Sequence, residues 1–199
     1  GTSDTPKFGY TTTKYLLNSE FKTFPVHLYK PEIMGHKAYK NIKDIPDDIE
    51  LAIILVPNKN ALQAVNDCKE KGVKGIIIES AGFAETGNEK YTNIQNQIVE
   101  IAKESKIRMI GPECIGLTNF SNQFKSTEVN FDNTLKGNVA IIAQSGILGN
   151  AMVDWASDAK VGFSKVITLG NKIDVDEVDL LDYLNNDPDT KVITLYLEG

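Results

Sequence analysis

The chain has little of what several protein classes require. No apolar run approaches the roughly 20 residues that span a bilayer, so no membrane helix is expected. Cysteine is scarce: Cys68 and Cys114 stand far apart and form neither a CxxC pair nor a ligand cluster. That pattern excludes a disulfide scaffold and a cysteine-based zinc site. The two histidines, His27 and His36, have no Ser or Cys partner in a recognisable arrangement and read as structural or solvated. Positive charge is also short, with 21 Lys and Arg against 27 Asp and Glu and a net charge of -6. Nonspecific attraction to nucleic acid or to an anionic membrane is therefore not expected. A polyanionic ligand would have to be held by local groups: backbone N–H, helix N-termini and a few lysines. The opening GTSDTPKFGY is not a signal peptide, and two lone thiols suit a reducing compartment, so a cytoplasmic location is expected.

What is present suits a folded α/β protein. The 199 residues are 41% hydrophobic and 24% charged, which is enough for one large domain or two small ones with real cores. Short Ile/Val-rich runs fall at 25–28, 51–56, 75–78, 108–110, 139–143, 165–169 and 192–197. Most are apolar on successive residues, as strands covered on both faces must be. Between them lie helical stripes: Ile94, Ile98, Ile101 and Ala102; Leu148, Met152 and Trp155; Leu180, Leu181 and Leu184, the last behind Asp176 and Glu177 at a helix start. Strand alternating with helix predicts right-handed βαβ units and mainly parallel sheets. The alternation pauses over 111–137, which reads as a domain junction with a loop over a cleft. Two domains follow, 1–130 and 137–199. The glycine turn at Gly1 lacks the strand that would aim it, and the run at 192–197 lacks a following helix, so the chain reads as a fragment of a longer protein.

Three features could carry chemistry. The first is the stretch Gly1-Thr2-Ser3-Asp4-Thr5-Pro6-Lys7-Phe8-Gly9. Its small residues let backbone N–H groups approach a phosphate, Ser3 and Lys7 add donors, and a helix starting near Gly9 adds its positive end. It is not GxGxxG, and a capped turn would look much the same. The second is a set of strand ends: Val56-Pro57, Ser80-Ala81-Gly82-Phe83 and Gly111-Pro112-Glu113-Cys114. In an open parallel sheet ligands sit outside the carboxyl ends of strands, so three such ends together form a groove. The third is Gln144-Ser145-Gly146, where a serine either caps a helix or helps its N-terminus hold a phosphoryl group. The carboxylates of Asp174, Asp176, Glu177 and Asp179 lack the EF-hand glycine and closing glutamate, and read as helix-start charges with no metal. Cys114, with no nearby histidine base, reads as a small buried residue.

Taken in order, GTSDTPKFG, GHKAY, LAIILVP, KGVKGIIIESAGFAETG, GPECIG, AQSGILGNAMVDWA, TLGNKIDVDEVDLLDYL and NDPDTKVITLYLEG run along nearly the whole chain. Together they resemble the NDP-forming acyl-CoA synthetases, among them the ADP-forming acetyl-CoA synthetases, relatives of the succinyl-CoA synthetase α subunit. The resemblance implies a Rossmann-like domain that binds coenzyme A, followed by the start of a flavodoxin-like domain. It implies that Gly1, Thr2, Ser3, Lys7, Gly9 and Lys30 lie by the CoA phosphates, that Val56, Pro57, Ser80, Ala81 and Gly82 line the groove, and that Ser145, Gly146 and Ile147 hold phosphate. It implies an acid–thiol ligase acting through an acyl phosphate and a phosphohistidine, with a small carboxylic acid as substrate. Mg-ADP/ATP or GDP/GTP would be held on an ATP-grasp domain or β subunit, in an oligomer. Glu198 matches the residue that orients the histidine, which itself lies beyond Gly199. The family's GPNC reads Gly111-Pro112-Glu113-Cys114 here, which puts a carboxylate, Glu113, beside the acyl site. The family's VNPK reads Val26-His27-Leu28-Tyr29-Lys30, with its lysine one position late.

Two other functions compete. A non-catalytic CoA-sensing module, as in the ligase-like portion fused to some protein acetyltransferases, would share these motifs. A nicotinamide-binding protein would want an acidic residue closing the run at 26–28 to hold a ribose, and Lys30 suits a phosphate better.

Overall fold

A computed structural model describes residues 8–198. It opens with helix α1 (Tyr10–Leu17), followed by a small antiparallel pair, β1 (Glu32–Ile33) with β2 (His36–Lys37). Three parallel strands then form the first sheet: β3 (Leu51–Ile54), β4 (Gly75–Ile78) and β5 (Arg108–Ile110). Helices α2 (Asn58–Lys71) and α3 (Glu89–Ser105) make the crossovers. Ile76, Ile78 and Met109 meet Val65, Phe83, Ile98 and Ala102 in one core. Full burial of such a side chain contributes roughly 1.5–3 kcal/mol.

The second sheet has the order β10-β8-β9-β6-β7. Its parallel centre is β8 (Lys136–Ala143), β9 (Phe163–Thr168) and β10 (Val192–Tyr196). Helix α4 (Gly146–Asp158) lies in the β8–β9 crossover and α5 (Glu177–Asn185) in the β9–β10 crossover. Successive residues of β8 serve opposite cores. Ile141 and Ala143 join Val153 and Phe163, whereas Ala140 and Ile142 join Leu180 and Leu184. This two-sided burial is why the strand reads as a continuous apolar run.

Two local expectations change. The stretch 111–137, read as a loop, contains a hairpin of β6 (Leu117–Asn119) and β7 (Phe124–Ser126). β6 lies antiparallel to β9 and extends the second sheet. No helix separates β6 from β7, so the chain can only turn back, which gives an otherwise parallel sheet an antiparallel edge. Among the described residues the run at 25–28 forms no strand, and Val26 makes an isolated bridge to Tyr39. Pro25 has no N–H to donate, and His27 Nδ1 accepts the N–H of Tyr29 and Lys30 at 3.1 and 3.0 Å, pulling the chain into a turn.

Residues 171–175 tie the two sheets together. Asn171 N donates to Pro112 O at 2.9 Å, Ile173 N to Gly111 O at 3.3 Å and Val175 N to Met109 O at 3.0 Å. Alternate residues of this strap thus follow the outer edge of β5. Arg108 fastens it by donating to Asp174 at 3.0 Å and to Asp179 at 2.9 Å. Asp176 caps α5 by accepting the N–H of Val178 and Asp179. The acidic cluster of the sequence is therefore engaged in capping and clamping.

Candidate active site

The carboxyl ends of β3, β4 and β5 are hydrogen-bonded into one rim. Ser80 Oγ donates to Val56 O at 2.5 Å, joining the β4 turn to the β3 turn. Asn58, directly after Pro57, donates its side-chain amide to Gly82 O. Glu113 N donates to Ser80 O at 2.9 Å, joining the β5 turn to the β4 turn. Gly82 has φ +94, where a side chain would be strained and its Cβ would lie 2.7 Å from Asn58 Nδ2. Ala81 is exposed on the rim.

Helix α1 begins at the same edge. Gly9, with φ 91, is its N-cap residue. Its carbonyl accepts the N–H and, at 2.5 Å, the hydroxyl of Thr13. Thr12 N donates to Glu128 Oε1 at 3.1 Å, so a carboxylate already faces part of the positive helix end. Gly1, Thr2, Ser3 and Lys7 lie outside the described residues. Lys30 lies in the turn after Val26 and His27.

The second sheet brings its own strand ends close by. Ser145 is the N-cap of α4 and its hydroxyl accepts Leu148 N at 3.5 Å. Gly146 has a packing reason of its own, since a Cβ there would meet Ile115 side-chain atoms at 2.9 Å. Ile147 is 82% exposed and directs no packing at this point. Gln144 bridges β8 to β10: its N–H donates to Tyr196 O at 2.8 Å and its side-chain oxygen accepts Glu198 N at 3.0 Å. That bond fixes the backbone of Glu198 beside the start of α4, while its carboxylate stays exposed.

Glu113 stands between the halves, in the left-handed region at φ 59. Asparagine tolerates that conformation better than glutamate does, so the backbone alone favours the amide of the resembled motif. Burial, the charge of Glu85, a hydrogen bond with it, and the charge of Glu198 together push the Glu113 carboxyl up. Two expected catalytic carboxylates, Glu113 and Glu198, are thus within electrostatic reach of each other. Cys114 is fully buried, and burial together with the Glu79 charge pushes its thiol up to about 12, which leaves little thiolate for nucleophilic work.

Three residues not singled out from the sequence shape this site. Glu85 accepts Gly82 N at 2.5 Å and Phe83 N at 2.9 Å. Burial raises its carboxyl, but bonds from Asn171 and from these backbone amides outweigh that and hold it below the usual range. Asn171 comes from the second half of the chain and donates to Glu85 Oε2 at 2.7 Å. Glu79 is 2% exposed at the end of β4, with Thr12 Oγ1 3.4 Å from Oε2 and no partner on Oε1 among the described residues. Glu85 and Asn171 lie in the stretches AGFAE and LGNKID, but nothing in residue type or spacing reveals that they meet.

Parallel strands whose carboxyl-end turns form a rim beside a helix start define an α/β protein of the open-sheet class, in which this edge is the place for a ligand. The chain belongs to the CoA binding domain family, which matches residues 1–119, and residues 136–199 match the succinyl-CoA ligase like flavodoxin domain. The chain is 44% identical to an ADP-forming acetate–CoA ligase of Methanocaldococcus jannaschii, over 97% of this chain and 27% of that protein. It is 42% identical to the α subunit of ADP-forming acetate–CoA ligase II of Pyrococcus furiosus, over 99% of this chain and 43% of that one. It superposes with a TM-score of 0.93, at 36% identity, on acetyl-coenzyme A synthetase 1 of Ca. Korarchaeum cryptofilum, solved with phosphate and ADP; all of this chain and 42% of that one are covered. The chain therefore spans less than half the length of these relatives. Among the described residues no helix is long and apolar enough to cross a membrane.

Proposed function

We propose that the chain is the CoA-binding portion of an NDP-forming acyl-CoA synthetase, which converts a small carboxylic acid, CoA and NTP reversibly into acyl-CoA, NDP and phosphate. One observation carries the reading. The three strand-end turns of the first sheet are hydrogen-bonded into a single rim that abuts the start of α4 on the second. A thioester-forming enzyme needs this adjacency, because the thiol of one ligand must meet the acyl phosphate formed at the other.

In this reading CoA lies along Val56, Pro57, Ser80, Ala81 and Gly82, with its phosphates toward Gly1, Thr2, Ser3, Lys7, Gly9 and Lys30. The Gly82 turn supplies close approach, and the Ser80 hydroxyl is held off by its bond to Val56 O. Ser145, Gly146 and Ile147 offer backbone N–H groups to a phosphoryl group at the positive end of α4. Glu198 orients a histidine supplied from outside residues 1–199 and stabilises its charged form. Glu113, its carboxyl pushed up by its neighbours, stands where the asparagine of the resembled motif would face the acyl site.

The units are taken as 1–130 and 137–199, with the β6–β7 hairpin of the first segment lent to the sheet of the second. Mg-bound ADP or ATP, or the guanine counterpart, is assigned to an ATP-grasp domain or β subunit. An α subunit among the relatives supports a partner chain and an oligomer. Both cysteines are buried as free thiols, which supports a cytoplasmic setting. Calorimetric titration of the full-length protein tests the reading. CoA should bind and NAD should not, and tight NAD binding without CoA binding would overturn it.

A further inference from the structure

We propose that Asn171 and Glu85 act together as positioning residues for the CoA groove, with the second half of the chain setting the shape of the groove in the first. This rests on the reading that the groove holds CoA. The Gly82 turn is not self-supporting. Gly82, at φ +94, lies beyond Ile78, the last paired residue of β4, so its N–H takes no part in the sheet ladder. One oxygen of Glu85 accepts both this N–H and that of Phe83, at 2.5 and 2.9 Å. Phe83 is wholly buried in the first core, so the turn is gripped between a fixed ring and a carboxylate.

The carboxylate needs its own anchor, because Glu85 is exposed and has freedom about three side-chain bonds. Asn171 provides it. The Asn171 amide donates to the other Glu85 oxygen at 2.7 Å and to Gln95 Oε1 at 2.9 Å. Its backbone N–H holds Pro112 O at 2.9 Å, so one residue pins the β4 turn and the β5 turn at once. Asn171 in turn cannot drift. Gly170 donates to Gln144 O at 3.0 Å, and its own carbon sits so close to the β5 turn that a Cβ would lie 2.0 Å from Pro112 O. A continuous set of bonds therefore runs from Gln144, beside Ser145, through Gly170 and Asn171 to Glu85 and the Gly82 turn. The bonds on the turn that lines the groove are complete when the α4 end of the second half is in place, the first half supplying the Asn58 bond to Gly82 O and the buried Phe83 ring.

The test is a double-mutant cycle on CoA affinity in the full-length protein: wild type, Asn171→Ala, Glu85→Gln and both together, each titrated calorimetrically and each melted. In Glu85→Gln one amide group must face a donor, either Gly82 or Asn171, so the pair is broken from the other side. Each single change should weaken CoA binding about tenfold, as loss of one hydrogen bond to a carboxylate allows. The double variant should be little worse than either single one, because both break the same link. Melting temperatures should move by only a few degrees, since both side chains lie near the surface. Should Asn171→Ala fail to fold, Asn171→Gln, which displaces the same amide by one methylene, takes its place in the cycle. Unchanged affinity in Asn171→Ala overturns the proposal. So does a double variant weakened about a hundredfold, which means independent action, or an affinity loss that tracks loss of folded protein, which means a mere clamp. A wild type that binds no CoA removes the groove reading itself, and is told apart because it fails before any variant is compared.

Discussion

Replacing Glu79 by Gln should make the protein more stable as pH rises, by an amount that grows with pH. Glu79 is 2% exposed, its Oε1 has no partner among the described residues, and Thr12 Oγ1 lies at a long 3.4 Å from Oε2. Burial, and next the charge of Glu128, push its carboxyl well above the usual range, against a small opposing effect of Thr12. The folded protein therefore holds a proton on Glu79 at pH values where the unfolded chain has released it. Unfolding then releases a proton, so stability falls as pH climbs above the ordinary carboxylate value and stops falling once the folded Glu79 also ionises. The greatest slope from one group is about 1.4 kcal/mol per pH unit. Glutamine keeps the shape and neutrality and cannot titrate, so it abolishes this slope. Glu113, also raised, contributes in the same direction but is common to both proteins and cancels in the difference. Urea denaturation of wild type and Glu79→Gln at half-unit steps from pH 5 to 8 measures it. The difference should rise steadily at up to about 1.4 kcal/mol per unit and then level off. A difference that is flat across this range would refute the claim that Glu79 is held neutral.

Further outcomes follow from other parts of the molecule. Lys165→Met should destabilise the second sheet by about 3 kcal/mol, because it leaves Asp187 buried without its cation. Burial raises the Asp187 carboxyl, but Lys165 and Thr190 outweigh it and hold it low. The stability this gives wild type is present above the ordinary aspartate range and lost as pH falls through the depressed value, so the gap between wild type and variant should close in acid. Gly170→Ala combines a left-handed φ of +59 with a Cβ 2.0 Å from Pro112 O. It should lower the melting temperature sharply, and an unchanged melt would show that the strap can move. Ser145→Ala should cost about 1 kcal/mol through the lost cap and weaken inorganic phosphate binding only modestly, since backbone donors remain. Glu198→Gln in the full-length enzyme should slow phosphohistidine formation while leaving CoA affinity nearly unchanged, as read by radiolabelled phosphate transfer and calorimetry.

The layers of this fold were legible because burial on two faces writes itself as consecutive apolar residues. Residues 75–78 and 139–143 could hardly be anything but central strands, and Ile94, Ile98 and Ala102 could hardly face water. The strand ends were legible for a related reason, since small and kinked residues there are where a sheet edge can admit a ligand. Structure departs from pattern where local chemistry overrules it. At 25–28 the residues look like a strand, yet among the described residues a proline without an N–H and a histidine ring that captures two amides go with an isolated bridge at Val26. At 117–126 two three-residue strands bury polar residues, Thr118 and Ser126, so no apolar run marks the hairpin.

Side-chain meetings across long sequence distances are of another kind. Asn171 and Glu85 are 86 positions apart, and nothing in either neighbourhood signals the other. Their contact exists because residues 171–175 follow the outer edge of β5 through backbone hydrogen bonds, with Arg108 adding ion pairs to Asp174 and Asp179. The same acidic residues that resemble a metal cluster in the sequence are what draws the strap into place. A carboxylate cluster thus acts on the groove at one remove. It binds an arginine, the arginine fixes the strap, and the strap carries an asparagine to the turn that lines the groove.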